Sequence, residues 1–363
     1  MAREFAASVD GARITMADID EGRAKTAASA IPNADWVTID TTDYDDLVGK
    51  LGGYDMVLGA LPGDYGYMSI KAAIEAGADM VDVSYTVEDP TALNEAAKEK
   101  GVTVIPDCGV APGLSNILVG YAASRLDKVK TAHFMVGGMP ERPVPPIGYT
   151  ITWSADGLID EYVRDVSIIE GGKKVSVPAL SGLEEIEFPG VGVLESFYTD
   201  GLRTLADSIE GVESMWEKTL RYPGHVEKVK LLRELGFFAD EPVKTRLGAV
   251  TPKDVTARIF ERTLWMPDVG DLLAMRIDVS GESGGEEKSY TYRLVDYFNH
   301  ETGVSAMART TGYTAAIVAS MLAKGKVTKK GVLVTEKLAK NPEFTEGLIS
   351  ELRKRGVQVE EVE

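Results

Sequence analysis

The sequence predicts an α/β protein in which a doubly wound parallel sheet carries a second, inserted domain. Two observations support this prediction. Up to residue 105, short apolar runs alternate with amphipathic segments of helical length, as in strands joined by helical crossovers. The alternation stops after residue 120, and a strong helical pattern returns at 307–323. We therefore expect a Rossmann-type domain formed by 1–120 plus 305–363, and a mixed α/β domain at 121–304.

The elements of the first domain are predicted from apolar runs and their terminating residues. Expected strands are 12–18, 36–39, 54–61, 80–84 and 102–105. Expected helices are 20–30, 67–76 and 90–100. Asp20 is a suitable N-cap, Gly77 a suitable C-cap, and Pro90 suits a first helical turn.

The inserted domain has a different pattern, with strands that no longer alternate with helices. Expected strands are 130–136, 147–154, 174–178, 275–280 and 290–298, with one short helix at 157–164. The glycine-rich, acidic segment 281–287 lies between two alternating runs and predicts a hairpin turn.

A dinucleotide-binding fold normally opens with a strand and a glycine-rich turn, and neither precedes Asp18 in this sequence. Residues 1–9 have the pattern of the second half of the helix that follows such a turn. We therefore expect the first strand to be absent from this sequence. Two explanations stay open: the natural start lies about twenty residues upstream, or the chain is a truncated relative with impaired cofactor binding.

Asp18 follows an early strand and predicts the cofactor. An acid there can accept hydrogen bonds from the adenosine ribose and would repel a 2′-phosphate, which favours NAD over NADP. A turn or capping role is the alternative interpretation. The remaining candidate cofactor contacts follow later strands: Ala60, Leu61, Pro62, Cys108 and Gly109.

The segment 102–116, VTVIPDCGVAPGLSN, is the best candidate for the floor of an active site. It reads as a buried strand that runs through a Pro/Gly turn into a helix, and ligands bind at that edge of open α/β sheets. Asp107 is a candidate catalytic carboxylate at that edge. Cys108, the only cysteine, has no neighbouring histidine in sequence and is expected to pack at the cofactor site rather than act as a nucleophile.

Composition excludes several classes of protein. The net charge of −18 argues against partners that are polyanions, so we expect neither nucleic-acid nor membrane binding. A single cysteine excludes an intramolecular disulfide framework, and no clustered ligand motif predicts a metal. The sequence has no apolar run of membrane-spanning length and no secretory pattern, so we expect a cytoplasmic enzyme.

Four long strings carry a resemblance to a known family: 107–120, 188–205, 219–238 and 305–325. They resemble the saccharopine dehydrogenase-like superfamily, and within it most nearly the L-lysine 6-dehydrogenases. Saccharopine-forming members often show GLDPG where this chain has GVAPG, with Ala111 in place of the acid. The resemblance implies a nicotinamide-linked oxidation of a carbon that bears an amino group, and a homodimer or homotetramer.

The resemblance also directs attention to residues of the inserted domain. Arg221 and Tyr222 precede a Pro-Gly break, and an arginine fork is a natural clamp for the carboxylate of a small amino-acid substrate. The resemblance implies that this arginine contacts the substrate. The alternative is that Arg221 only forms a structural ion pair with an acidic residue. His225 in the same turn could remove a proton from an ammonium group, or cap a helix.

Related enzymes carry a tyrosine matching Tyr85 near the nicotinamide or substrate, although it could equally be a packing aromatic.

The function that follows is oxidative deamination of the ε-amine of L-lysine to the semialdehyde. The protein must hold the C–H bond close to the nicotinamide and accept the ammonium proton. One alternative is a saccharopine-type enzyme that joins an amino acid to a keto acid, for which Arg246 and Arg309 could clamp a second carboxylate. The other is a non-catalytic, amino-acid-binding relative.

Overall fold

The computed structural model describes residues 1–246 and 248–362. The strands, in chain order, are β1 Thr15–Asp18, β2 Asp35–Thr38, β3 Met56–Gly59, β4 Asp79–Asp82, β5 Thr103–Ile105, β6 Lys128–Pro140, β7 Val166–Glu170, β8 Lys173–Val177, β9 Glu184–Phe188, β10 Gly192–Tyr198, β11 Ser214–Arg221, β12 Val243–Thr245, β13 Gly248–Val250, β14 Asp271–Ser283, β15 Glu286–Tyr297, β16 Gly331–Val332 and β17 Glu360–Val362.

The helices are α1 Ala2–Ser8, α2 Glu21–Ser29, α3 Tyr44–Leu51, α4 Gly63–Ala76, α5 Asn94–Lys100, α6 Leu114–Ser124, α7 Ala155–Val163, α8 Leu205–Ser208, α9 His225–Glu234, α10 Pro252–Leu264, α11 Ala306–Ala323, α12 Thr335–Leu338 and α13 Pro342–Lys354. A short 3-10 helix, Pro90–Leu93, leads directly into α5. None of the described helices has both the length and the apolar character needed to cross a bilayer.

The described chain divides into two compact units. Unit 1 contains Met1–Ile117 and Thr311–Arg355, and unit 2 contains Leu118–Thr310 and 356–362. The domain boundaries predicted from the sequence stay a prediction. Two residues of the predicted domains, Leu247 and Glu363, lie outside the described residues. In the described tail, β17 pairs with β15 of unit 2.

Unit 1 has the strand and helix succession expected of a doubly wound fold. Strands β1 and β2 form a parallel pair, and a second parallel sheet has the order β16-β5-β4-β3. The Asp20 carboxylate accepts a hydrogen bond from the backbone N–H of Arg23 at 2.8 Å, as a helix N-cap does. Gly77 ends α4 at φ 80°, a left-handed conformation that costs glycine little.

The predicted Rossmann-type fold class is confirmed, but the first domain holds two sheets rather than one. In the doubly wound strand order 3-2-1-4-5-6, the pair β2-β1 corresponds to positions 3 and 2, and β3-β4-β5 to positions 4 to 6. Among residues 1–246 and 248–362, no strand occupies the central first position. The two sheets therefore lack the strand whose backbone would hydrogen-bond to both.

Unit 2 contains a nine-stranded mixed sheet. Its main path is β17-β15-β14-β6-β11-β10-β9, and β7 and β8 extend from β11. The predicted hairpin is present, because β14 and β15 pair antiparallel from Leu272↔Tyr297 to Ser283↔Glu286. One core of this unit lies among α7, α9 and α10 and includes Tyr162, Val229 and Phe260.

The strand predicted at 147–154 is wrong. Residues Ile147, Tyr149 and Ile151 are buried at alternate positions, which produces a strand-like pattern, but the segment is a loop. Its backbone is satisfied elsewhere, since the Ile151 N–H donates to the Leu264 carbonyl at 2.9 Å. These apolar residues therefore alternate because they pack into the helical core, and not because the segment forms a strand.

Candidate functional site

Strands β3, β4 and β5 of unit 1 are parallel neighbours, so their carboxyl ends lie along one edge of the sheet. Ligands bind at this edge in open α/β folds. The predicted residues Ala60, Leu61 and Pro62 follow β3, Tyr85 lies beyond β4, and the predicted Asp107, Cys108 and Gly109 follow β5. The sequence-based candidates of the first domain that follow these strands thus share one edge.

Asp82, which sequence analysis missed, is the buried carboxyl at the centre of that edge. Its two oxygens accept hydrogen bonds from the backbone N–H and the hydroxyl of Ser84, both at 3.0 Å. Burial raises the pKa of Asp82 to about 7. A Cβ at Gly59 would overlap the Asp82 carboxyl, so a glycine is required opposite it. A proton on Asp82 therefore titrates close to neutral pH.

Asp107 and Cys108 are held directly beside Asp82. The Cys108 N–H donates to the Asp82 carbonyl at 2.8 Å, and the Asp107 charge contributes to the raised pKa of Asp82. Asp107 has φ 50°, a left-handed conformation that is uncommon outside glycine and is often found at functional sites. Cys108 is fully buried, and burial raises the pKa of its thiol, so the group stays a neutral packing side chain.

Tyr85 and the end of β3 are fixed by close backbone packing. The Leu61 N–H donates to the Ser84 hydroxyl at 3.1 Å, which ties the segment after β3 to the segment after β4. A Cβ at Gly63 would overlap the Tyr85 carbonyl oxygen. The first turn of α4 therefore packs against the backbone of Tyr85.

Asp18 lies at the end of β1, where a dinucleotide fold places its ribose-recognising residue. Its carboxylate already accepts a hydrogen bond from the Asp20 N–H at 2.9 Å and pairs with the Arg23 guanidinium at 3.4 Å. The Arg23 side chain is 70% exposed. This edge thus offers an accessible cation beside the acid.

Arg221 is the buried cation of unit 2. It lies at the end of β11, its Nη1 donates to the Leu220 carbonyl at 2.9 Å, and its Nη2 donates to Glu161 Oε2 at 3.0 Å. Its guanidinium stacks over the Tyr149 ring at 4.6 Å. Among the described residues, Nε of Arg221 has no hydrogen-bond partner, so one donor remains for another group.

His225 begins α9 and is buried in the same network. Its Nδ1 lies 2.9 Å from the Ile147 carbonyl, so Nδ1 carries the proton, and Nε2 accepts from the Tyr162 hydroxyl at 2.9 Å. Burial and the Arg221 charge lower the pKa of His225 to about 3. This is the environment of a neutral histidine with both nitrogens occupied, and its predicted role as a base stays a prediction.

The other two predicted substrate contacts have partners of their own. Tyr222 is half-buried and its hydroxyl donates to the Pro140 carbonyl at 2.9 Å. Burial raises the pKa of Tyr222 to about 12. Arg309 and Asp296 form a buried ion pair at 3.3 Å. Each stays a prediction as a substrate contact.

Four further residues around Arg221 were missed by sequence analysis. Glu217, Thr219 and Arg221 alternate along β11 and are buried. Glu161 on α7 and Thr199 after β10 complete this group. The sequence contained a signal for part of this group. Three polar residues at alternate positions of one strand share a face, and such a face is expected to be apolar when it is buried.

A metal centre finds no support in the described part of the chain, where no group of three or more His, Cys, Asp or Glu side chains could hold an ion.

Two family models match most of the chain. The model "Saccharopine dehydrogenase NADP binding domain" matches residues 1–105, and "Saccharopine dehydrogenase C-terminal domain" matches 109–357. The chain belongs to the saccharopine dehydrogenase family. The superfamily resemblance drawn from the sequence is confirmed.

Individual relatives are more distant. The chain is 26% identical over 265 residues to "Saccharopine dehydrogenase [NADP(+), L-glutamate-forming]" of Pyricularia oryzae, covering 69% of this chain and 58% of that protein. It is 24% identical over 400 aligned positions to the protein of that name from Saccharomyces cerevisiae, covering 90% and 88%. The chain thus spans less than two thirds of the length of the first of these relatives.

A solved structure shares the fold. The apo, histidine-tagged saccharopine dehydrogenase (L-Glu forming) from Saccharomyces cerevisiae superposes with a TM-score of 0.80 at 20% identity, covering 100% of this chain and 97% of that one.

The prediction of NAD as the cofactor is wrong. The family model that matches residues 1–105 is an NADP-binding domain, and the two relatives are named as NADP(+)-dependent. Asp18 is also not the isolated acid that the prediction assumed, because the Arg23 guanidinium lies 3.4 Å from its carboxylate. An arginine at this position of the fold accommodates a 2′-phosphate, whereas an unpaired acid repels it.

Proposed function

We propose that this protein is an NADP-dependent oxidoreductase that acts on the carbon–nitrogen bond of an amino acid of lysine metabolism. The observation that carries the proposal is the buried Arg221, whose Nε still has a donor to offer among the described residues. An arginine held by Glu161 and by the Tyr149 ring is suited to orient the carboxylate of an amino acid. The family of the chain and its relatives point to the same chemistry.

The residues of unit 1 fit NADP. Arg23, with Asp18 beside it, would contact the ribose 2′-phosphate, and the residues after β3 and β5 would line the nicotinamide side. When bound, NADP accepts a hydride from the carbon that carries nitrogen, or returns one to it.

Proton transfer is assigned to the carboxyl at the end of β4 and the carboxyl beyond β5. Asp107 is the proposed base, because removing the ammonium proton leaves the neutral amine that can be oxidised. Asp82 holds its own proton near neutral pH and reduces the cost of charge changes on Asp107. Tyr85 is proposed to bound the substrate at the same edge.

The finer proposal concerns the substrate. Three buried cations of unit 2 are each paired with a carboxylate: Arg221 with Glu161, Lys218 with Glu184, and Arg309 with Asp296. Arg221 is assigned to one substrate carboxylate, so a substrate with several carboxylates would also have to displace Glu184 from Lys218 or Asp296 from Arg309. This balance favours an amino acid with one carboxylate and a terminal amine, so we propose oxidation of the ε-amine of L-lysine.

A saccharopine-type reaction is the second candidate, and the names of the relatives favour it. In that reaction Arg309 would have to exchange Asp296 for a substrate carboxylate.

The test is a turnover assay of the purified chain with NADP⁺ and either L-lysine or saccharopine, monitored by the absorbance of NADPH. Formation of NADPH with lysine supports the proposal, and formation with saccharopine alone supports the second candidate. An absence of turnover and of binding for both compounds, with a folded protein, would overturn both. Arg221→Met serves as the matched variant and is expected to lose activity.

A further inference from the structure

Four side-chain oxygen atoms of unit 2 form an unbranched chain of hydrogen-bond contacts. Glu217 Oε2 lies 2.5 Å from Thr199 Oγ1, Thr199 Oγ1 lies 2.8 Å from Thr219 Oγ1, and Thr219 Oγ1 lies 2.5 Å from Glu161 Oε1. The two threonines and Glu217 are each less than 5% exposed. All three contacts are at hydrogen-bond distance, so each of them requires one proton.

The side chains in their usual ionisation states do not supply enough protons. Each threonine hydroxyl has one hydrogen and can donate once, whereas an ionised carboxylate can only accept. The two hydroxyls therefore satisfy two contacts and leave the third with two oxygens and no hydrogen between them. One of the two glutamates must bring the third proton.

The position of Arg221 decides which glutamate it is. Glu161 Oε2 accepts from the Arg221 guanidinium at 3.0 Å and Glu161 Oε1 faces Thr219, so both Glu161 oxygens serve as acceptors and the third proton is left to Glu217. We propose that Glu217 is a carboxylic acid at neutral pH, that it donates to Thr199, which donates to Thr219, which donates to Glu161, and that it thereby positions Arg221.

The surroundings of Glu217 agree with this order. Burial raises the pKa of Glu217, and the like charges of Glu161 on α7 and Asp200 after β10 raise it further. The hydrogen bond with Thr199 and, less strongly, the Arg221 charge on the same strand oppose this rise in the pKa. Once Glu217 loses its proton at higher pH, the contact between the two threonines has no hydrogen and the chain of donors breaks.

The effect of these hydrogen bonds on Arg221 depends on Glu161, which ends the row of four oxygen atoms. Glu161 has one oxygen on Thr219 and the other on Arg221, so its carboxylate plane is fixed by two donors. Glu217 is therefore a positioning residue that acts through Glu161. Its effect on substrate binding rests on the proposed function, whereas its protonation does not.

Infrared difference spectroscopy of the full chain without substrate tests the protonation directly. Subtracting the spectrum of Glu217→Gln from that of the wild type at neutral pH should reveal the C=O stretching band of one buried carboxylic acid. Glu195→Gln is the matched control, because Glu195 is also buried but accepts from the N–H groups of Gly224 and Val226 and should contribute no such band. A wild type without the Glu217-dependent band would overturn the proposal.

A second measurement tests the positioning role. Thr199→Val removes the link but keeps the shape, and we expect the substrate KM to rise about fivefold to tenfold with kcat largely retained. Thr199→Ser should restore the wild-type KM, and Glu217→Gln should retain it because the amide N–H₂ can donate to Thr199. Equal KM values in Thr199→Val and wild type would refute the positioning role. If no substrate turns over, the infrared result still decides the protonation.

Discussion

Arg221 and Glu161 form an ion pair at 3.0 Å with side chains only 4% and 15% exposed. Removing one partner of a buried pair leaves an uncompensated charge, which costs about 3–5 kcal/mol. We therefore expect Glu161→Gln to lower the free energy of unfolding by about that amount, as measured in urea. The double variant Glu161→Gln/Arg221→Met should recover much of the loss. Additive losses in the double variant would show that the two side chains are not coupled.

Arg23 is expected to select the cofactor. Hydrogen bonds to charged groups contribute about 1.5–3 kcal/mol, so Arg23→Ala should weaken NADPH binding by at least about tenfold. Binding of NADH, which lacks the 2′-phosphate, should change little. Fluorescence titration measures both dissociation constants. Lys25→Ala removes a neighbouring cation of α2 that pairs with Glu21 and should leave both values unchanged; equal losses for NADPH in the two variants would contradict the assignment.

Asp82 should make stability depend on pH. Its pKa in the fold is raised to about 7 from the ordinary 3.8, so the folded state holds a proton that the unfolded state releases. The stabilisation from this proton is fully present below about pH 4. As the pH rises towards 7, the free energy of unfolding falls by up to about 1.4 kcal/mol per pH unit. Asp82→Asn mimics the protonated acid and should remove this dependence. Urea unfolding at several pH values measures it; an unchanged slope in the variant would assign the dependence elsewhere.

His225 should act in the opposite direction. Its pKa in the fold is lowered to about 3 from 6.5, so the unfolded state takes up a proton first, and stability falls as the pH drops from 6.5 towards 3. His225→Gln keeps an acceptor for Tyr162 and should flatten the acid limb of the stability profile. It should also cost about 1–3 kcal/mol at neutral pH through the lost Ile147 contact. If activity falls by orders of magnitude while the fold is retained, the histidine is the base predicted from the sequence.

The hairpin β12–β13 is expected to support a homo-oligomer. Both strands are exposed along their length, with Val243 52% and Val250 36% exposed, and Trp265 nearby in sequence is 59% exposed. An isolated two-stranded hairpin is marginal in water, and an apolar one is expected to be covered by a second copy. Val243→Asp should shift the sedimentation coefficient towards that of a monomer, whereas exposed Leu183→Asp should not.

The sequence predicted what depends on local patterns. The α/β rhythm, the cap of α2 by Asp20 and the β14–β15 hairpin follow from residues close together in the chain. The network around Arg221 does not, because Glu161 and Glu217 are linked through Thr199 and Thr219 only by tertiary packing of α7 against strand residues. The cofactor prediction failed for a related reason. It considered Asp18 as an isolated acid, and one turn of helix α2 brings Arg23 beside it.

Pairing between distant segments also has a consequence for biosynthesis. Strand β16 is an edge of the four-stranded sheet of unit 1 and pairs with β5, with the Gly331 and Leu333 N–H groups donating to the carbonyls of Val102 and Val104. The partners are more than 200 positions apart, so a nascent chain leaving the ribosome carries β5 with an open edge until the intervening segments and β16 have been made. The interval before that edge closes is when an unfinished chain is most exposed to aggregation and to capture by chaperones.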